Sequence, residues 1–325
     1  MRANGAMDPL SDVLRLVGLT GGVFMEADFS APWSVLGQVS KEFCRAFMAP
    51  SERIVAFHYV VEGSVTVTLD DRASWRVGAR EVVLLPHNDV HVFASARGLA
   101  PVSAAELIQP TGAQGVARIV HGGGGACTRM VCGFLGGNEG LHPLLANLPP
   151  VMTVALATLP TGDWMAATFE YVARTQSEGD AGAATAIAKA SELMFVEVLR
   201  RHLAALPKEE RGWLAGLRDE AVGRALVVMH ATPSKDWTTE ALAQEACLSR
   251  SAFAERFTTL VGEPPMRYLL NWRMMLAKQK LRDTQLMIAQ IAFELGYESE
   301  TSFTRAFRRE TGSPPAAWRA ENSPG

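Results

Sequence analysis

The sequence predicts an α+β chain of two domains. Three observations predict it: Val-rich stretches broken at strand lengths, a change to helical spacing near residue 141, and a helical pattern that occurs twice near the C-terminus. The repeat is the most informative. SRSAFAERFTTLVGEPPMRY (249–268) returns as SETSFTRAFRRETGSPPAAW (299–318), so that Ser249, Phe253, Phe257, Gly262, Pro264 and Pro265 are answered by Ser299, Phe303, Phe307, Gly312, Pro314 and Pro315, and Tyr268 by Trp318. Agreement at that many fixed offsets is the mark of duplication.

A chain of 325 residues, 48% of them hydrophobic, can bury two ordinary cores. The opening stretch MRANGAMDPLSDVLRLVGLTGG lacks the basic run, apolar core and small-residue cleavage site of a secretory leader, and no later stretch nears the roughly 20 apolar residues of a membrane span. A cytoplasmic protein with no membrane partner is expected. Cys44, Cys127, Cys132 and Cys247 form no C-x2-C pair and make no disulfide framework, so reduced, packed thiols are expected. Cys127 and Cys132, five apart, would face opposite sides of a continuous strand, which leaves redox sensing as the lesser alternative. From residue 218 onward Lys and Arg exceed Asp and Glu by one, whereas the rest of the chain is acidic, a weak pointer to nucleic acid.

IVAFHYVVEGSVTVTL (54–69) and REVVLLPHNDVHVF (80–93) read as short strands with turns at Asp70-Asp71 and Gly78, the grammar of a small sandwich or barrel. HGGGGACTRMVCGFL turns at Gly122 to Gly125 and enters a further strand; without a following Gly-Lys-Ser/Thr it is no phosphate loop. DWMAATFEYVARTQ and GAATAIAKASELMFVEVLRRHLAAL read as two helices. Pro207 and KEERGW mark a polar hinge. The expected division is therefore residues 1–209, a hinge at 210–217, and a helical domain at 218–325.

In each copy of the repeat a short helix with small residues (Leu242, Ala243, Ala246; Ile288, Ile291, Ala292, Gly296) precedes a serine able to cap a second helix, as in a helix-turn-helix. Phe253 and Phe257, like Phe303 and Phe307, are four apart and share a core face. The opposite faces carry Arg250, Ser251, Ala254 and Glu255, and Glu300, Thr301, Thr304 and Arg305. An Arg there can engage guanine N7 and O6 together, a Glu can accept from cytosine N4, and a Thr can offer its methyl to thymine. Between the copies, Leu269, Leu270, Met274 and Leu281 alternate with Arg267, Arg273, Lys278, Lys280 and Arg282, predicting a basic spacer helix over 266–282, roughly 25 Å long. Such a spacer suits two helices set about one duplex turn, roughly 34 Å, apart. The competing reading takes the repeat as core and turn signals in a helical protein-contact adaptor.

Residues 218–320, including IAQIAFELGYESETSFTRAFRRETGSPPAAWR, resemble the DNA-binding domain of AraC-type transcriptional regulators. The resemblance implies seven helices with two helix-turn-helix units on a long linking helix, base or backbone contacts from the outward residues above, and phosphate contacts from Arg256, Arg267, Arg308 and Arg309. Glu255 and Glu300 depart from a basic surface. Promoter DNA is the implied partner, with RNA polymerase and a second copy of the chain as further candidates.

Residues 8–205 resemble the cupin-like β-barrel sensor domains, with accessory helices, of many such regulators. FHYVVEGSVTV is similar to the first cupin motif and GAREVVLLPHNDVH to the second, with Pro86 and His91 in place and Asn88 where glycine is usual. The His-x-His of metal-binding cupins is missing, and Ala56 stands at the Glu position. His58, two residues on, should share a face with Ala56. His58, His87 and His91 are read as lining a small-molecule effector pocket, with a depleted metal site as the alternative. No cofactor, metal or catalytic residue is assigned. A metal-dependent oxygenase fused to a DNA-binding module is the enzymatic alternative to a ligand-responsive regulator.

Overall fold

The computed structural model describes residues 8–44, 53–69, 73–109, 117–137, 144–159, 161–175, 183–207 and 209–322. The chain forms two compact units, Gly18–Ala204 and a second that joins Met1–Val17 to Ala205–Gly325. This differs from the division expected at 209 and 217 in two places. Helix α1 (Pro9–Val17) buries Leu10, Val13, Leu16 and Val17 within the helical unit, and helix α6 (Trp213–Arg218) occupies the expected hinge. A one-sided apolar helix needs a partner face, and nothing in its own sequence says which.

Gly18–Ala204 is a two-sheeted barrel. Strands β1 (Thr20–Ser30), β2 (Ser34–Gly37), β3 (Arg53–Glu62), β4 (Ser64–Leu69), β5 (Ala73–Gly78), β6 (Glu81–Leu85), β7 (His91–Ala94), β8 (Val102–Ser103), β9 (Ala117–Gly122), β10 (Cys127–Gly137) and β11 (Met152–Ala155) form one sheet in the order β11-β6-β3-β10-β1-β9 and another in the order β5-β4-β7-β2-β8. The β4–β5 hairpin agrees with the sequence reading, although the Asp70-Asp71 turn itself lies outside the described residues. The glycine run joins β9 to β10 as expected.

Short helices α2 (Lys41–Cys44) and α3 (Ala104–Leu107) decorate the barrel, and α4 (Gly162–Thr175) and α5 (Ala183–Ala205) are the two helices read from the sequence. Central strand β3 is buried on both faces from Ile54 to Val60. Ala56 and Val60 join the lumen core, whereas Phe57 and Tyr59 meet Phe169 of α4 at ring separations of 5.9 and 5.2 Å. Near-continuous apolar character in IVAFHYVV follows from that double burial.

The helical unit continues through α7 (Glu220–Ala231), α8 (Thr239–Glu245), α9 (Arg250–Val261), α10 (Pro265–Asp283), α11 (Ile288–Glu294), α12 (Glu300–Thr311) and α13 (Pro315–Asn322), seven helices from Glu220 onward. Each repeated residue type has a backbone duty. Ser249 and Ser299 cap α9 and α12, accepting from the N–H of Ala252 (3.3 Å) and Ser302 (3.2 Å). Gly262 and Gly312 end those helices at φ 91° and 83°, the left-handed conformation glycine adopts without steric cost. Pro265 and Pro315 then open α10 and α13, where a missing N–H goes unneeded. Phe257 meets Tyr268 at 5.7 Å and Phe307 meets Trp318 at 6.1 Å, so the aromatic of the following helix closes each module in the same way.

Helix α1 packs against α7 and α10. Beneath it lies a buried polar chain: Trp213 Nε1 donates to Tyr268 Oη (2.7 Å), which is in turn hydrogen-bonded to His230 Nε2 (2.7 Å). The other ring nitrogen, Nδ1, faces Asp12 Oδ2 of α1 at 3.7 Å. His230 also stacks on Trp272 at 3.9 Å.

Candidate nucleic-acid interface and effector cavity

The second helix of each module presents the face expected of it. Arg250, Ser251, Glu255, Glu300, Thr301 and Arg305 are exposed, and Ala254 and Thr304 are half-buried beside them. Phe253, Phe257, Phe303 and Phe307 are fully buried on the other side. The fifty-residue offset pairs Arg250 with Glu300 and Glu255 with Arg305, so the two modules carry opposite charges at equivalent positions. Ser251 pairs with Thr301 and Ala254 with Thr304.

The four arginines read as phosphate contacts fall into two groups. Arg256 forks onto Asp219, with Nε 3.0 and 3.1 Å from its two oxygens and Nη2 2.6 Å from Oδ2. Asp219 is also the cap of α7, accepting from the N–H of Ala221 and Val222 at 3.1 and 2.9 Å. Burial would raise its carboxyl, but the Arg256 guanidinium and these amides outweigh burial and hold it below the usual carboxylate range. Arg267 grips Glu310 through two nitrogens (2.9 and 2.6 Å), and Arg309 reaches the same carboxylate at 3.1 Å. Hydrogen bonds from Arg267 are the main reason the Glu310 carboxyl lies below its ordinary value. By contrast Arg250, Arg305 and Arg308 are exposed and form no ion pair among the described residues. Of these arginines, the ones with no ion pair among the described residues therefore lie at the start of α9 and along α12.

Sequence reasoning missed how the two modules are held together. Arg273 of the spacer helix donates to the carbonyls of Pro233 (2.7 Å) and Lys235 (2.9 Å) in the loop before α8. Gly296, in the turn of the second module at φ 82°, lies so close to this loop that a Cβ there would run into the Ser234 carbonyl. The signal in the sequence is slight: an Arg among five basic residues, and a glycine that one turn needs and the other does not, since Cys247 takes the positive φ of the first module at 55°.

Within the barrel, His58 of β3 and His91 of β7 come together, ring centroids 5.3 Å apart, with Phe93 at 4.5 Å from His58. They line a cavity of about 40 Å³ shared with Met25, Phe29, Met130 and Cys132. Burial drives both imidazoles below their ordinary pKa; at His58 repulsion from His91 adds to burial, whereas at His91 the Asp89 carbonyl and carboxylate offset part of it. His91 Nδ1 bonds the Asp89 carbonyl (2.9 Å), but among the described residues both nitrogens of His58 are buried without a partner. Leaving such groups unpaired costs about 1–3 kcal/mol each.

His87 does not join them, which corrects the three-histidine reading. Its Nε2 lies 3.0 Å from the Leu148 carbonyl, in a separate open cleft with Pro86, Asn88 and Arg53. The reason is local. Asn88 takes φ 53°, which asparagine tolerates where glycine is usual, and its side chain staples Val39 through Oδ1 (3.1 Å) and Nδ2 (2.7 Å), turning His87 away from the lumen. Among the described residues no three His, Cys, Asp or Glu side chains converge as a metal site. Cys132, fully buried opposite His58 in the β3–β10 register, has its thiol pushed up to about 12, and Cys127 at the start of β10 is exposed, so the two face apart as the spacing predicts. Cys44 is buried and Cys247 exposed, and all four are free thiols.

Among the described residues no helix is long and apolar enough to cross a membrane. A family model described as a cupin matches residues 8–204, and one described as a helix-turn-helix domain matches residues 242–321. An AraC-like transcription regulator of Streptomyces lividans is 32% identical over 96% of this chain and 98% of its own. The HTH-type transcriptional regulator AlkR of Acinetobacter baylyi is 28% identical over 97% and 100%. Among solved structures, the DNA-binding domain of AdpA in complex with a target DNA is 29% identical, covering 32% of this chain and 92% of that one at a TM-score of 0.31. With a cupin domain followed by a double helix-turn-helix, and with full-length likeness to such regulators, the chain belongs to the AraC-like transcription regulators.

Proposed function

We propose that the protein is a cytoplasmic promoter-binding regulator that reads DNA with α9 and α12 and responds to a small molecule held in its barrel. The observation that carries the reading is the pair of serine-capped helices with exposed polar faces, each clamped by two buried phenylalanines. Arg250, Ser251, Ala254 and Glu255 would meet one major groove, and Glu300, Thr301, Thr304 and Arg305 the next. Because Arg and Glu exchange places between modules, the operator should consist of two unlike half-sites: Arg305 suits a guanine where Glu255 suits a cytosine. Arg308 would contact phosphate directly. Arg256, Arg267 and Arg309, tied to carboxylates in the free protein, would contribute to phosphate binding chiefly by holding α9 and α12 in place. RNA polymerase and a second protomer fit as further partners, and pairing of two chains would raise avidity through effective concentration.

The barrel would act by binding its effector better in one arrangement of the chain than in another. His58 and His91 are its candidate contacts. The regulator reading is tested by capture of genomic fragments, including the region upstream of the protein's own gene, on the full-length chain over a salt series. Selective enrichment that falls steeply as salt rises is expected, roughly 0.9 in log K per log salt for each phosphate neutralised. Absence of salt-dependent binding to any duplex would favour the protein-contact adaptor.

A further inference from the structure

The barrel lumen differs from the molecule's other hollows. Two roomier clefts, about 600 and 520 Å³, open on solvent beside Lys41 and Arg53 or beside Asp28, Arg118 and Arg129. In the second of these both arginines are paired with Asp28, which lies 2.7 Å from Arg118 and 3.1 Å from Arg129. Among the described residues the lumen has no Asp, Glu, Lys or Arg in its lining, and it holds an imidazole whose two nitrogens have no partner. That ring is nonetheless fixed in orientation, packed edgewise between His91 and Phe93. His87 and His91 have each found a carbonyl; His58 has been left available.

We propose that the lumen binds a small, uncharged, mainly apolar molecule carrying one hydrogen-bonding group, of the class of short alcohols and ketones, with His58 as its anchor. A neutral imidazole presents a donor at one nitrogen and an acceptor at the other, so it can pair with a hydroxyl or a carbonyl alike. Met25, Phe29, Phe93 and Met130 supply the apolar surround, and the thioethers can adapt to an irregular guest. An ion would leave water for a chamber without a countercharge. At about 40 Å³ the cavity as it stands admits only a few non-hydrogen atoms. The inference rests on the barrel being the effector domain.

The test titrates full-length protein with ethanol and acetone, and in parallel with acetate and ethylammonium, reading the His58 imidazole resonances and the thermal midpoint. Ethanol and acetone should move the His58 resonances and raise the midpoint, binding at least tenfold more tightly than either ion. His58→Phe should abolish the response and His58→Gln should retain part of it. A response equal for ions and neutral probes, a His58 resonance indifferent to every probe, or undiminished binding by folded His58→Phe would each overturn the proposal. If His58→Phe does not fold, the wild-type resonances decide. Promoter capture is run on the same preparation. DNA enrichment without a neutral-probe response would remove the ligand class and leave the regulator standing, and probe binding without DNA enrichment would do the reverse.

Discussion

Arg305, Arg308 and Arg256 bear the same group on or beside the helices proposed to read DNA, and their surroundings suit them to different work. Arg305 is exposed on the outward face of α12 with no ion pair among the described residues, and the proposed reading has it fork onto a guanine. Arg308, one turn further along, likewise has no ion pair among them. Its replacement by Ala should weaken binding to all sequences alike and reduce the salt slope by about 1. Arg256 is already spent on Asp219, the cap of α7. Arg256→Ala should therefore lower the thermal midpoint as well as affinity, where Arg308→Ala leaves the midpoint in place. The buried imidazoles make a separate prediction. His58, His91 and His230 all have pKa values lowered by burial from the ordinary 6.5. Below that pH the unfolded chain takes up protons that the folded chain refuses, so stability should be flat above about 6.5 and fall as the pH drops below it. The slope is at most about 1.4 kcal/mol per pH unit for each group. Thermal midpoints measured from pH 7.5 to 5 check this, and a midpoint rising toward pH 5 would contradict it.

At the level of elements, the repeated helices could be read from sequence because Ser, Gly and Pro occupy backbone positions that few other residues fill. Capping serine, left-handed glycine and opening proline announce where α9, α10, α12 and α13 begin and end. Removing either cap, Ser249→Ala or Ser299→Ala, should cost about 1 kcal/mol, seen as a lower denaturation midpoint. The clamp between modules was not legible. Arg273 acts on carbonyls of residues about forty positions away, and neither Pro233 nor Lys235 signals by its side chain that its carbonyl is needed. Arg273→Ala should loosen the fixed relation of α9 to α12. The wild type is expected to lose binding when one base pair is inserted between half-sites, whereas Arg273→Ala should bind both spacings with similar, weaker affinity. Equal sensitivity to spacing in the two proteins would return Arg273 to a purely local role. In the barrel, the strands followed from alternation, but motif spacing grouped His58 with His87 and His91 alike, and only the fold brings it to His91. The turning away of His87 depended on Asn88 adopting a left-handed conformation, which sequence alone suggested only as a departure from glycine.

For the whole molecule, composition groups the N-terminus with the barrel, whereas the backbone contacts group α1 with the helical unit. The polar tract after Pro207 looks like a hinge, yet α6 follows within it, and α1, some two hundred residues earlier, completes the core of the same unit. Asp12 beside His230, and Leu10, Val13 and Leu16 against α7 and α10, mean that a fragment beginning at 210 leaves an apolar face bare. Burial of each such side chain is worth about 1.5–3 kcal/mol. A chain lacking residues 1–17 should therefore show a helical unit less stable by several kcal/mol and more easily cut by protease, with the barrel's own melting unchanged. Equal protease resistance with and without α1 would show that the helix is dispensable to that unit.

The central claim is that α12 reads base identity through Arg305. Its most direct test is the affinity of full-length wild type and Arg305→Ala for the captured operator and for a set of single-base variants of it. The account predicts that Arg305→Ala costs about 1–3 kcal/mol on the operator and that this loss disappears at one position only, where the variant no longer distinguishes guanine from the other bases. An equal loss on every sequence would remove Arg305 from base readout and contradict the account.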